Sequence, residues 1–135
     1  MTQKIQFDLV SPETKIMSEP VTMAVIPGSE GDFGVLSGHM PLVANVRTGT
    51  VTIYRDNMND SSERIFIAGG VADVTGDQCT VLAEQAINVT DIDVAEIDKQ
   101  IAEIESDLSS ITDDADKNRF HKKLDILNAM RASKA

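Results

Sequence analysis

The hydrophobic period of this chain changes once, near residue 88, and that change limits what the chain can fold into. Before it, apolar residues recur at every second position: Ile5, Phe7 and Leu9; Val21, Met23 and Val25; Leu42, Ala44 and Val46; Val51 and Ile53; Ile65 and Ile67; Val71; Cys79 and Val81. Alternation puts one set of side chains on one face, so each run reads as a half-buried β-strand. Turn formers separate the runs at Ser11-Pro12-Glu13, Pro27-Gly28, Gly31-Asp32, Thr48-Gly49, Asn57 to Ser62, Gly69-Gly70 and Gly76-Asp77. No helical period interrupts them, which disfavours a helix-linked parallel sheet. The pattern predicts eight to ten short strands in an antiparallel sandwich or flattened barrel over residues 1–87.

From residue 88 to 135 the period is helical. Ile97, Ile101, Ile104, Leu108 and Ile111 form a narrow apolar seam that suits a single partner helix. Thr90 with Asp93 three residues on resembles a capping box, with Asp in place of Glu or Gln. Ser109 to Asp114 reads as a polar break. A second helix is then expected from about Asp114, with Phe120, Leu124, Leu127 and Met130 on its apolar side. The fold class is therefore α+β: an N-terminal antiparallel sandwich, then an antiparallel helical hairpin.

Charge supports the pairing of the helices. Asp91 to Asp107 holds seven acids and only Lys99, whereas Asp114 to Ala135 holds three acids and six bases. An acidic helix beside a basic one gains little per exposed pair, about 0–1 kcal/mol, so the hairpin is expected to be held lightly. The whole chain carries a net charge of −10. That opposes non-specific binding to nucleic acid or to anionic lipid, both of which need a basic surface. No apolar run approaches the roughly 18 residues of a membrane span. The single cysteine, Cys79, has no partner for an internal disulfide, and two histidines leave little for a structural zinc site. The expectation is a soluble, acidic, intracellular protein.

The signatures of catalysis are weak. Neither a phosphate-cradling G-x-x-x-x-G-K-[ST] loop nor a G-x-S-x-G nucleophile turn occurs. Gly28, Gly31 and Gly34 are spaced by three, which suits a turn better than a dinucleotide loop. His39 lies between turn formers and reads as a hydrogen-bonding loop residue, while His121 sits among bases on the second helix. Asp91, Asp93 and Asp98 read either as a cation site or, more simply, as acids at a helix start. Asn59-Asp60-Ser61 and Asn88-Val89-Thr90 match the glycosylation acceptor pattern, which arises often by chance. A binding or coupling module fits better than an enzyme, although a free-standing adaptor and a small nucleotide sensor stay open on the residues alone.

One segment is more specific. Gly28-Ser29-Glu30-Gly31-Asp32-Phe33-Gly34, followed by Gly38-His39-Met40-Pro41-Leu42, resembles the epsilon subunits of F-type ATP synthases. The likeness continues through Thr48-Gly49, Ile67-Ala68-Gly69-Gly70-Val71 and Val81-Leu82-Ala83-Glu84. The mitochondrial counterpart, called delta, shares the architecture; a first Met without an Arg- and Ser-rich transit segment favours a bacterial protein. The resemblance implies a sandwich of about ten strands and a hairpin, in a rotor subunit of the central stalk. Such a subunit sits beside gamma, turns with the membrane ring of c subunits, and has no catalytic residues. It would lie peripherally on the cytoplasmic face of the inner membrane. By the same resemblance Glu30, Gly31, Asp32, Phe33, Gly34 and His39 would face the ring. Lys117, Arg119, Lys122, Lys123 and Arg131 would supply the basic character with which the hairpin reaches the catalytic beta subunits and restrains hydrolysis. Neither a cofactor nor a metal ion is expected. Some bacterial relatives bind ATP through Ile or Leu, Asp, two free positions, Arg, Ala; here Ile92 and Asp93 fit, but Glu96 and Ile97 replace the last two, so no nucleotide binding is expected.

Overall fold

A computed structural model describes residues 4–57 and 63–134, the last by its backbone alone. The Asn59-Asp60-Ser61 sequence and most of the turn predicted at Asn57 to Ser62 lie outside the described residues. The chain divides into two compact units, Met1–Asn88 and Val89–Ala135.

In the first unit the described residues form eight strands: β1 (Ile5–Val10), β2 (Lys15–Val21), β3 (Met23–Gly28), β4 (Gly31–Val35), β5 (Leu42–Tyr54), β6 (Glu63–Val74), β7 (Gln78–Ala83) and β8 (Ala86–Asn88). They hydrogen-bond in the order β2-β1-β7-β6-β5-β3-β4, with β8 also on β6. Both edge strands send side chains, Val21 from β2 and Val35 from β4, into the same core as the strands between them. A sheet whose two edges share one core is folded over on itself, which makes it a sandwich. The strand count is below ten because β5 and β6 are long, at 13 and 12 residues, and each does the work of two. Thr48-Gly49 therefore lies within a strand and is not a turn. Gly69 (φ +95°) and Gly70 (φ +155°) lie midway along β6. A Cβ on Gly70 would sit 2.0 Å from the Leu82 carbonyl oxygen, so only glycine lets β6 pass β7 this closely.

Every pairing is antiparallel except β1 with β7, which run parallel with Gln6 opposite Gln78. No helix is needed to connect them, because the five intervening strands carry the chain back. Pro20 is tolerated in β2 because β2 is an edge. Pro27 lacks an N–H, and the β3–β5 register shifts where it sits, between Val25 and Gly28.

Ile5, Phe7, Leu9, Ile53, Ile65, Ile67, Cys79 and Val81 are buried as the alternation predicts. Two runs are out of phase. In β3 it is Ala24 and Ile26 that are buried, because buried Thr22 intervenes after Val21 and resets the alternation. Thr22 is satisfied there by donating its amide to Tyr54 O and its hydroxyl to Arg55 O, each at 2.8 Å. In β6 Ala72 and Val74 point inward and Val71 points out.

In the second unit a 3-10 turn (Val89–Asp91) leads into α1 (Val94–Leu108), and α2 (Asp114–Lys134) follows. The N-cap of α1 is Asp93 and not Thr90, which lies in the 3-10 turn; the Asp93 carboxylate accepts from Ala95 N at 3.0 Å and Glu96 N at 3.4 Å. Asp113 plays the same part for α2, accepting from Ala115 N at 2.9 Å. Ile97, Ile104, Leu127 and Met130 are buried. Arg131 Nε lies 2.7 Å from Asp98 Oδ1, which brings the end of α2 to the start of α1 and makes the pair an antiparallel hairpin.

Candidate functional surfaces

The first surface is the β3–β4 hairpin. Its Ser29-Glu30 turn joins Gly28 to Gly31, and Gly31 takes φ +140°. With no positive φ at any non-glycine residue described, Gly31 alone absorbs the unusual backbone of the turn. Gly34 is ordinary strand, and a Cβ there would touch only the Met23 sulfur at 3.4 Å. A Cβ on Gly28 would lie 2.9 Å from the Phe33 ring, so the ring folds back over Gly28 and closes the loop.

Arg47 of β5 braces this hairpin. It donates to Gly28 O at 2.5 Å and to Asp32 Oδ1 at 2.6 Å, while Ser29 N donates to Asn45 O at 3.0 Å. Asp32 is therefore occupied internally. Glu30 stands exposed at the tip. His39 sits on the next loop, its Nδ1 2.7 Å from Met40 O, and that loop is tied down by Gly38 N donating to Gly76 O at 2.7 Å. Between the Gly28–Phe33 segment and Leu42–Asn45 lies a groove of about 370 Å³.

The second surface is the outer face of the sheet, where the ladders align two rows. One row runs Val10, Leu82, Val71, Asn45; its neighbour runs Asp8, Thr80, Asp73, Val43. Leu82 is 55% exposed and Val43 71%, with Met40 at 79% on the adjoining loop. Leu82 and Val71 in the first row and Val43 in the second thus stand open beside the carboxylates of Asp8 and Asp73. Asp8 is held below the usual carboxylate range, first by the Ser18 hydroxyl at 2.5 Å, against an opposing effect of burial, with Gln6 and Gln78 also donating. Simple alternation does not reveal this face. Its trace in the sequence is apolar residues of both parities, Leu42-Val43, Val71-Ala72 and Val81-Leu82, where simple alternation demands one.

The third surface is the basic helix. Arg119, Lys122 and Lys123 are exposed on α2 and Lys117 is half-buried. Two bases already hold acids: Arg119 with Asp116 at 2.7 Å, and Arg131 with Asp98. Asp93 serves as the cap of α1 and Asp98 as the partner of Arg131, both contacts within the helical unit.

These surfaces lie on a definite class of fold, a β-sandwich joined directly to an α-helical hairpin. The family described as the ATP synthase delta/epsilon chain, β-sandwich domain, matches residues 4–89. An ATP synthase epsilon chain of Rhodospirillum centenum is 43% identical over 127 residues, 92% of this chain and 87% of the relative. That of Paramagnetospirillum magneticum is 40% identical over the full length of both chains. Among solved structures, a chain of the Euglena gracilis mitochondrial ATP synthase (OSCP/F1/c-ring) superposes with a TM-score of 0.82, at 24% identity, over 100% of this chain and 83% of the other. One from the Tetrahymena thermophila central stalk and c-ring has a TM-score of 0.65 at 10% identity, over 99% and 98%. The chain belongs to the ATP synthase delta/epsilon family and is similar throughout to bacterial epsilon chains.

Proposed function

We propose that this chain is a rotor part of the central stalk, coupling rotation of the membrane c-ring to ATP synthesis in the catalytic head, and that it does no chemistry itself. The observation that carries the reading is the pair of adjacent cross-sheet rows, apolar and acidic, left open on a rigid sandwich. A shaft component needs two attachments on one stiff body, and the sandwich offers them. The outer face, with Val43, Val71 and Leu82, docks gamma; Asp8 and Asp73 beside it favour a partner surface that mixes apolar with basic groups. The Glu30–Gly34 hairpin and His39 meet the ring. Because Arg47 clamps Gly28 and Asp32, a push on the hairpin passes into β5 and does not fold the turn.

The protein then sits peripherally on the cytoplasmic face of the bacterial membrane, held there by the complex. Lys122 and Lys123, with Lys117 and with Arg119 once it leaves Asp116, reach acidic segments of the catalytic beta subunits, through which the hairpin restrains hydrolysis. Arg131 joins that set only by giving up Asp98.

One experiment tests the docking face. The tagged full-length chain is recovered from native membranes and its partners identified by mass, alongside Val43→Asp/Leu82→Asp. Both positions are exposed, so the variant should fold normally. The native chain should bring down gamma and the c subunit, and the variant should lose gamma. Full recovery with the variant would remove this face from the interface.

A further inference from the structure

The end of the sandwich opposite the Ser29-Glu30 turn carries a chain of polar contacts that the surfaces above do not use. Met23 pairs with Tyr54 at this end of β3, whereas Gly28 pairs with Val46 at the other. Here Arg55 Nε donates to Glu19 Oε1 of β2, and Arg55 Nη2 to Glu63 Oε2 of β6 at 2.5 Å. The second oxygen of Glu63 accepts from Asn88 Nδ2 of β8. The side chains of Arg55, Glu19 and Glu63 are only 34%, 32% and 22% exposed, so solvent screens these bonds less than it does a surface pair. Four strands are thus joined through one guanidinium and two carboxylates, those of Glu19 and Glu63.

β8, where this network ends, is the shortest of the described strands. β8 has three residues and pairs with β6 alone, Ile65 with Asn88, Phe66 with Ile87 and Ile67 with Ala86. So short an edge strand has little intrinsic stability, and fraying would begin at its end. Asn88 is that end. It is also the last residue of the first unit, and the 3-10 turn of the second follows it at Val89. Whatever holds Asn88 in the sheet therefore decides where the helical unit begins.

We propose that Glu63 is a latch: it holds Asn88 while Arg55 holds it, so that β8 stays zipped to β6 and the departure point of the helical unit is fixed. Releasing the latch lets β8 peel off and turns three strand residues into linker, without melting the rest of the sheet. The proposal depends on the fold alone and stands whichever partners the outer surfaces take.

Native-state hydrogen exchange on the full-length chain tests it. In Glu63→Ala and in Asn88→Ala, amides of the segment 86–89 should exchange about tenfold faster, the loss expected for one hydrogen bond to a charged group. The double variant should be no faster than the quicker single one, because both remove the same contact. Segments in β1 and β7 should keep their native rates, and helical content should not change. Glu63→Gln, which preserves the shape and can still accept from Asn88, should give a smaller rise and covers the case in which Glu63→Ala does not fold. Native exchange at 86–89 in the single variants, additive effects in the double, or equal acceleration across all strands would each overturn the latch.

Discussion

Arg131 Nε sits 2.7 Å from Asp98 Oδ1, tying the last turn of α2 to the second turn of α1. Both side chains are about half exposed, so the pair is a light fastening. Asp98→Asn should lower the stability of the hairpin by less than about 1 kcal/mol at low salt, with the difference vanishing near 1 M salt. Asp98→Arg combined with Arg131→Asp should restore it. Helix unfolding followed by circular dichroism in the three proteins at two salt concentrations checks both statements; a loss that salt does not change would mean that the pair is not the fastening.

Three glycines should respond differently to one methyl group. Gly70→Ala drives a Cβ into the Leu82 carbonyl and should be the most damaging, since the obstacle is backbone of a paired strand. Gly31→Ala meets no atom but must hold φ +140°, which should cost on the order of 1–3 kcal/mol. Gly34→Ala meets only the Met23 sulfur and should be near neutral. Thermal midpoints should fall in that order. In membranes, Gly31→Val should reduce proton-driven synthesis more than soluble ATPase activity; equal loss of both would indicate misfolding.

Burial pushes the Cys79 thiol up from 9.0 to about 12, and Asp73 and Asp8 add to the effect. The unfolded chain releases this proton near pH 9, while the folded chain keeps it to about 12. Stability is thus fully present below pH 9 and declines as the pH rises toward 12. Cys79→Ser, whose hydroxyl does not titrate there, should flatten that decline. At pH 8 a disulfide reagent should modify the native chain only as fast as it unfolds. A fast stoichiometric reaction in native buffer would contradict the burial.

Asp93 already spends its carboxylate on Ala95 N and Glu96 N, and Glu96 stands where ATP-binding relatives are expected to have arginine. A carboxylate at that place repels phosphate. ATP at low millimolar concentration should leave the thermal midpoint of the isolated protein unchanged. A ligand at a hundred times its dissociation constant would add about 2.7 kcal/mol, so binding would be plainly seen. An ATP-dependent rise that Asp93→Ala abolishes would reverse the expectation.

The two-period organisation was legible in the sequence because strands and helices leave local signatures. Ile5-Phe7-Leu9 and Ile97-Ile101-Ile104 announce themselves without reference to any distant residue. What was hidden depends on pairing. Nothing near Gly28 or Asp32 points to Arg47, and nothing near Glu63 points to Asn88. The phase of β3 was lost because Thr22, a polar residue, is buried by bonds to Tyr54 and Arg55. The Glu30–Gly34 hairpin could be read from its glycines; the outer face could not, since Val10, Leu82 and Val71 become neighbours only when three strands align.

The parallel pairing of Gln6 with Gln78 also sets a schedule for biosynthesis. As the chain leaves the ribosome, β1 has only β2 to pair with, and a two-stranded hairpin alone is barely stable in water. Its second edge stays open until β7 emerges, after most of the sandwich has been translated. Closure is a late and non-local event, slow by its contact order. A nascent chain stalled before residue 78 would expose the Ile5, Phe7 and Leu9 face and an unpaired strand edge to every neighbour. For this protein, the interval between making the first strand and the seventh is when chaperone protection matters.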